Sequence, residues 1–310
     1  MKMNRTLLKM CLVGLVALTG LNVSAAPISV TATTTMVADL VRQVGGDQVK
    51  VEALMGPGVD PHLYAPSTRD ILKLNHSKVI FYSGLHLEGK MTDLFARMTK
   101  RGKPVYAVTG RLNKKALLKP EDYEGHHDPH VWGDASLWRQ TVDVVAEGLS
   151  KADPANKSLY AKNAAKHKAE LETLHTWAKK RVSEIPTKKR VLVTSHDAFA
   201  YLGKAYGLEV VGVQGVSTAT EAGLADIAKT VDFIKSREIK AIFVESSVSP
   251  AVIQRISSDS GARIGGELFS DACGPNGDIH EAHGEKYDVG TVVGMLKHNI
   301  NTAVDALKGT

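Results

Sequence analysis

Two histidines stand in the same tripeptide, Asp60-Pro61-His62 and Asp128-Pro129-His130. A third, His196, follows an apolar run from Arg190 to Ser195, and Asp271 follows a strand-like run from Ala262 to Ser270. Three imidazoles and one carboxylate at the ends of four separate segments are the donor set of a mononuclear metal site. Pro61 and Pro129 each remove a backbone donor and stiffen the chain beside a histidine. A stiffened donor loses less entropy when a cation arrives. The four donors fall two in each half of the chain. A site assembled this way closes one half onto the other, which suggests metal capture rather than a local structural finger. Residue types and spacing alone leave the plainer reading open, that these are satisfied structural side chains.

The chain has 12 histidines, so most need another explanation. His76, His86, His167, His175 and His298 read as surface or internally satisfied residues. His126 and His127 lie close to His130 and read as solvated loop residues, with mobile extra donors as the alternative. His280 and His283 fall in a polar, Gly-rich stretch that reads as loop. A metal-bound imidazole usually hands its other N–H to a carboxylate or carbonyl. Glu245, at the end of a strand candidate, and Asp60, Asp128 and Asp197 could fill that role, and the sequence does not choose among them.

The elements that must position these residues follow a pattern. Short β-branched runs alternate with amphipathic helical stretches, which predicts parallel α/β structure. The strand candidates are 28–33, 49–54, 78–82 and 105–108 in the first half, and 191–194, 209–213, 241–244 and 262–267 in the second. Open parallel sheets gather their ligands beyond the C-terminal strand ends, where His62, His196 and Asp271 fall. His130 is harder to place, because 119–134 reads as loop. Leu224, Ile227, Val231 and Ile234 step by three and four residues and predict one buried helix face. Val289, Val293, Leu296, Ile300 and Leu307 do much the same near the C-terminus. Between the halves, 153–186 has no Gly and no Pro between Pro154 and Pro186. Asp153 and Pro154 suit a helix start, Pro186 a stop, and Leu171, Leu174, Ala178, Val182 and Ile185 form an apolar stripe. At about 1.5 Å per residue the helix would be roughly 45 Å long, enough to span a domain. The expected division is a leader over 1–25, an N-terminal α/β lobe over 26–152, a rigid linking helix over 153–186 and a C-terminal α/β lobe over 187–310.

Lys2, Arg5 and Lys9 precede an apolar run from Cys11 to Leu21, and Val23-Ser24-Ala25 suits cleavage before Ala26, the pattern of a secretory signal. The run is too short for a membrane span. Leu8-Lys9-Met10 before Cys11 lacks the small residues of a lipoprotein signal, so export to a periplasm without a lipid anchor is expected. The formal charge of +6 includes those three leader cations and no leader anion, leaving the remainder near +3. With no basic run, that argues against nucleic acid as a partner. Of two cysteines one lies in the leader, so Cys273 has no intrachain partner and the fold must rest on its apolar cores.

The chain resembles the TroA-like group of periplasmic metal-binding proteins of ATP-binding-cassette importers. The resemblance covers nearly all of the chain after the leader. It is carried by Gly58-Val59-Asp60-Pro61-His62-Leu63-Tyr64, by Asp128-Pro129-His130-Val131-Trp132, by 194–199 with Lys204-Ala205-Tyr206-Gly207, by 214–218, by Phe243-Val244-Glu245-Ser246-Ser247 and by 264–271. It implies that His62, His130, His196 and Asp271 are the ligands and that two α/β lobes are joined by one long helix. It implies one divalent ion as cargo, Mn2+ or Zn2+, and as partner an inner-membrane permease with a separate ATPase chain. A monomer without enzymatic activity is expected. Departures bear on the metal. The loop before His130 is short, whereas dedicated zinc binders of the group often carry a long His-rich one. His196 stands where dedicated manganese binders often have Glu. Cys273 stands where Met is expected; a thiolate there would favour zinc, and a small buried side chain is the alternative.

The rivals are a zinc hydrolase and a metal-stabilised adhesin or chaperone. A hydrolase needs an open coordination position and a general base. Four protein ligands would close the shell, and no His-Glu-x-x-His is present.

Overall fold

The computed structural model describes residues 26–121 and 123–309, so the leader read over 1–25 lies outside the described residues. Each β-branched run of the first half forms a strand: β1 (Ile28–Ala32), β2 (Val49–Ala53), β3 (Val79–Tyr82) and β4 (Val105–Ala107). They pair in parallel in the order β2-β1-β3-β4. Parallel neighbours need crossovers, supplied by α1 (Thr35–Gly45), α2 (Thr68–His76) and α3 (Thr92–Lys100). Thr34 caps α1 by accepting the Val37 N–H, and Ser67 with Asp70 forms a reciprocal capping box on α2.

Two helices, α4 (Ala135–Trp138) and α5 (Val142–Ala152), lead to α6 (Lys157–Val182). The linking helix is thus shorter than the expected 153–186. Pro154–Asn156 forms a separate 3-10 turn, and Asp153 does not cap the helix but accepts bonds from Asn156 and the Tyr160 hydroxyl. The 26 residues of α6 still span about 39 Å at 1.5 Å each. Leu171, Leu174, Ala178, Val182 and Ile185 are all buried. The helix packs on α1 and α5 of the first lobe and on the last helix of the second, α10 (Val292–Lys308).

The second lobe repeats the first. Its strands β5 (Val191–His196), β6 (Glu209–Gln214), β7 (Ala241–Glu245) and β8 (Arg263–Leu268) pair as β5–β6 and β7–β8, with β5 beside β7. The spatial order β6-β5-β7-β8 follows that of the first sheet, although among the described residues no ladder joins β5 to β7. Helices α7 (Ala200–Tyr206), α8 (Leu224–Ser236) and α9 (Ala251–Ser260) connect the strands. On α8 the expected face is only partly right. Val231 and Ile234 are buried, but Leu224 is 87% exposed, because it is the first residue of the helix and precedes the turn that meets the sheet.

A correction falls at 279–288. The stretch read as loop is an antiparallel hairpin, β9 (Ile279–Ala282) and β10 (Glu285–Asp288), packed on α10 (Val292–Lys308). Its turn holds His283 at φ 53° and Gly284 at φ 77°. Two left-handed residues are what a two-residue hairpin turn needs, but His-Gly is a weaker signal of one than Asn-Gly.

One apolar core runs through both lobes by way of α6, and a smaller one lies in each lobe on the other side of its strands. The lobes also meet in specific bonds. Asp39 of α1 accepts the Val292 N–H at the start of α10 (2.9 Å), and Thr35 accepts the Cys273 N–H (2.7 Å).

Candidate metal centre

The C-terminal strand ends of the two sheets face each other, and His62, His130, His196 and Asp271 converge between them. Their donor atoms all lie within 4.8 Å of one another. His196 is the last residue of β5, in register with Gln214, rather than a residue beyond the strand. Asp271 follows β8 by three residues. His62 sits on the loop after β2, and His130 opens a 3-10 turn, Val131–Gly133. His130, His196 and Asp271 are at most 1% exposed, and His62 is 7% exposed.

The spacing is that of a coordination shell. His62 Nε2 lies 3.3 Å from His130 Nε2. Asp271 Oδ1 lies 3.2 Å from His130 Nε2, and Oδ2 lies 3.1 Å from His196 Nε2. A tetrahedral zinc with bonds near 2.05 Å has edges of about 3.3 Å. Both Asp271 oxygens and His196 Nε2 are buried with no aligned hydrogen-bond partner. Buried polar atoms are rarely left so. A cation at the centre would satisfy all of them, and two inward oxygens on Asp271 allow a fifth contact.

Carboxylates behind the histidines fix their orientation. Asp128 Oδ1 accepts from both the His130 N–H (2.9 Å) and Nδ1 (2.7 Å). Glu245, the last residue of β7, accepts the His196 N–H through Oε1 (2.9 Å) and places Oε2 2.6 Å from Nδ1, close but out of line for a hydrogen bond. Each leaves Nε2 turned inward. Asp60 acts differently. Its Oδ1 accepts the His62 backbone N–H (2.8 Å), and its Oδ2 accepts the Thr218 hydroxyl of the opposite lobe (2.5 Å). Asp197 lines a neighbouring cleft with Gly212–Ser217.

The same contacts set the charges. Burial drives the His62 pKa down to about 3. Burial pulls His130 the same way, but the Asp128 and Asp271 carboxylates outweigh it and hold His130 up at about 9. At His196 burial is again outweighed, by Glu245 and Asp271, and the pKa is raised well above 6.5. For Asp271 burial acts upward, but His196 and His130 hold it well below the usual carboxylate range.

Two positioning residues escaped the sequence reading. Tyr201 of α7 donates to the Asp128 carbonyl (2.9 Å) and accepts the Leu118 N–H (3.0 Å), pinning the His130 loop from the opposite lobe. Trp132 Nε1 donates to the Ser270 carbonyl (2.9 Å), next to Asp271. A tyrosine and a tryptophan in apolar surroundings look like core residues, and only the pairing across lobes reveals the bonds. The remaining candidates stay outside the cluster. His126 stacks on His86 at 4.3 Å, and His127 bonds the Leu118 carbonyl. Cys273 is fully buried, and burial together with the nearby Asp39 carboxylate pushes its thiol well up, which disfavours a thiolate.

Residues 30–306 match the family described as zinc-uptake complex component A, periplasmic. The chain belongs to this family. It is 44% identical over 286 residues to the manganese-binding lipoprotein MntA of Bacillus subtilis, covering 91% of this chain and 90% of that one. It is 40% identical over 283 residues to the zinc-binding protein TroA of Treponema pallidum, covering 90% and 88%. The solved structure of that periplasmic zinc-binding protein superposes with a TM-score of 0.85 at 38% identity, covering 91% of this chain and 99% of the other. The family comprises solute-binding proteins of ATP-binding-cassette importers, not enzymes. The manganese-binding MntA and several further relatives are lipoproteins, which runs against the expectation of an untethered chain.

Proposed function

We propose that the protein captures one divalent manganese or zinc ion through His62, His130, His196 and Asp271 and delivers it to an inner-membrane permease driven by a separate ATPase chain. The observation that carries this reading is the buried Asp271 carboxylate, whose two unpartnered oxygens face the Nε2 atoms of His130 and His196. Three borderline nitrogens suit zinc, and a bidentate carboxylate adds the hard oxygen that manganese prefers. The hydrolase reading loses its base, because Glu245 is buried against His196, whose backbone N–H its Oε1 accepts.

The lobes are assigned to 26–152 and 187–310, with the linking segment over 153–186, and the carrier acts as a monomer. Equilibrium dialysis with elemental analysis tests the site. One tightly held equivalent of either cation is expected, lost in His130→Ala and in Asp271→Ala. Wild-type binding in both variants would reject the ligand set. Export is tested by the mass of the protein recovered from its own envelope. Cleavage before Ala26 gives a bare chain, and a diacylglyceryl group on Cys11 would replace that expectation by a tethered one.

A further inference from the structure

His280 and His298 share no residue with the first site, yet they repeat its local geometry. His280 lies on β9 of the hairpin and His298 on α10, and their Nδ1 atoms face each other at 3.2 Å. The outer nitrogens are both engaged. His298 Nε2 lies 3.0 Å from the Glu267 carbonyl. A carbonyl only accepts, so the proton sits on Nε2. His280 Nε2 faces the Asp278 carboxylate at 3.4 Å, which draws its proton outward too. When both rings are neutral, two lone pairs point at each other across 3.2 Å. A cation between them, or a proton on the Nδ1 of one ring, relieves that repulsion.

We infer that His280 and His298 form a second binding site for a divalent cation that prefers imidazole, with zinc as the cation used to probe it. The separation equals the roughly 3.3 Å edge of a tetrahedral zinc shell. A carboxylate behind one ring and a carbonyl behind the other are the supports that metal-bound histidines usually have. Burial also keeps the His298 pKa below its ordinary value, which favours the neutral ring. The Phe269 ring packs on His298 at 5.0 Å and limits its rotation. His280 is 35% exposed, so the cation is reached from solvent, and water completes the shell. With only two nitrogen donors the site binds more weakly than the first. It selects zinc, copper or nickel over manganese, because manganese prefers oxygen.

Equilibrium dialysis at neutral pH separates the two sites. Wild type is expected to take two equivalents of zinc, one tight and one weak, but a single equivalent of manganese. His280→Gln and His298→Gln should each lose only the weak zinc, and His130→Ala only the tight cation. His280→Gln changes a half-exposed hairpin residue, so the variant retains its fold, and equal melting of the manganese-loaded proteins checks this. A single zinc equivalent in wild type up to submillimolar free zinc would mean that a shared proton alone fills the gap, and would overturn the proposal. A weak zinc kept at unchanged affinity by both glutamine variants would overturn it as well.

Discussion

At the scale of the residue, the charge of each ligand decides what a cation must displace. His62 is neutral throughout the physiological range, whereas His130 and His196 hold protons well above 6.5. Metal ligation requires neutral imidazoles, so binding near pH 7.5 is expected to release about two protons. Calorimetry in buffers of different ionisation enthalpy measures that number, and a value near zero would mean that both rings are neutral before the cation arrives. The sign for stability follows. The folded pKa of His130 lies above its ordinary 6.5, at about 9. Its proton therefore stabilises the chelated protein fully below pH 6.5, and that contribution is lost as pH rises through about 9. The cation-bound fold has no such term. The gap in melting temperature between loaded and chelated protein should widen across this window, and a constant gap would contradict the assignment. Three unperturbed imidazoles would have put the competition lower, near their free pKa of about 6.5.

His196 is expected to set selectivity together with Glu245. In His196→Glu a new carboxylate would face Glu245, whose Oε2 now lies 2.6 Å from Nδ1. Two carboxylates at that range repel. The single substitution is therefore expected to weaken both cations, and His196→Glu with Glu245→Gln to recover manganese more than zinc. Competition titrations read the ratio. A ratio unchanged from wild type in the double variant would remove His196 from the shell. The ligand types were legible in the sequence because they recur in short motifs at strand ends. The supporting carboxylates were not. Asp60, Asp128 and Asp197 each neighbour a histidine, yet only Asp128 reaches the imidazole of its neighbour, Asp60 bonds backbone, and Asp197 lines another cleft.

At the scale of the element, loops that carry ligands are held by helices of the other lobe. Tyr201→Phe would leave the Leu118 N–H and the Asp128 carbonyl without their shared partner. Losing a buried partner costs about 1–3 kcal/mol. The variant is expected to release metal faster while its strands stay intact, as stopped-flow chelation would show. An unchanged release rate would make Tyr201 a packing residue only. All eight parallel strands could be read as short apolar or β-branched runs between helical stretches, β2 and β8 included although much of each is exposed. The hairpin could not, because β9 and β10 are largely exposed and polar, and an exposed pair carries little apolar alternation. Leu224 misled in the opposite way. Periodicity gave its phase on α8 but not the point at which the helix leaves the sheet.

At the scale of the molecule, α6 and a common apolar core bind the lobes along one side, so ligation on the other side adds to the stability of the whole. A ligand bound only by the folded state at 100 times its Kd contributes about 2.7 kcal/mol. A chain of this size shifts by about 2–4 °C per kcal/mol, so chelation is expected to lower the melting temperature by roughly 5–11 °C. A melting curve indifferent to chelator and to added zinc would sink the site.

The bond from Trp132 to the Ser270 carbonyl has an optical consequence. The indole lies across the lobe boundary with its ring 5.3 Å from that of His130, nearly perpendicular to it. A protonated imidazole at that distance drains indole excitation, and a zinc-bound neutral one does so far less. Loading the protein with zinc should therefore brighten its tryptophan emission, most strongly at neutral pH, where His130 gives up its proton to the metal. Trp132→Phe should abolish the rise while Trp177→Phe, half-buried on α6 beside Lys297, leaves it. The molecule thus carries its own lamp at the seam, wired to the state of one ligand.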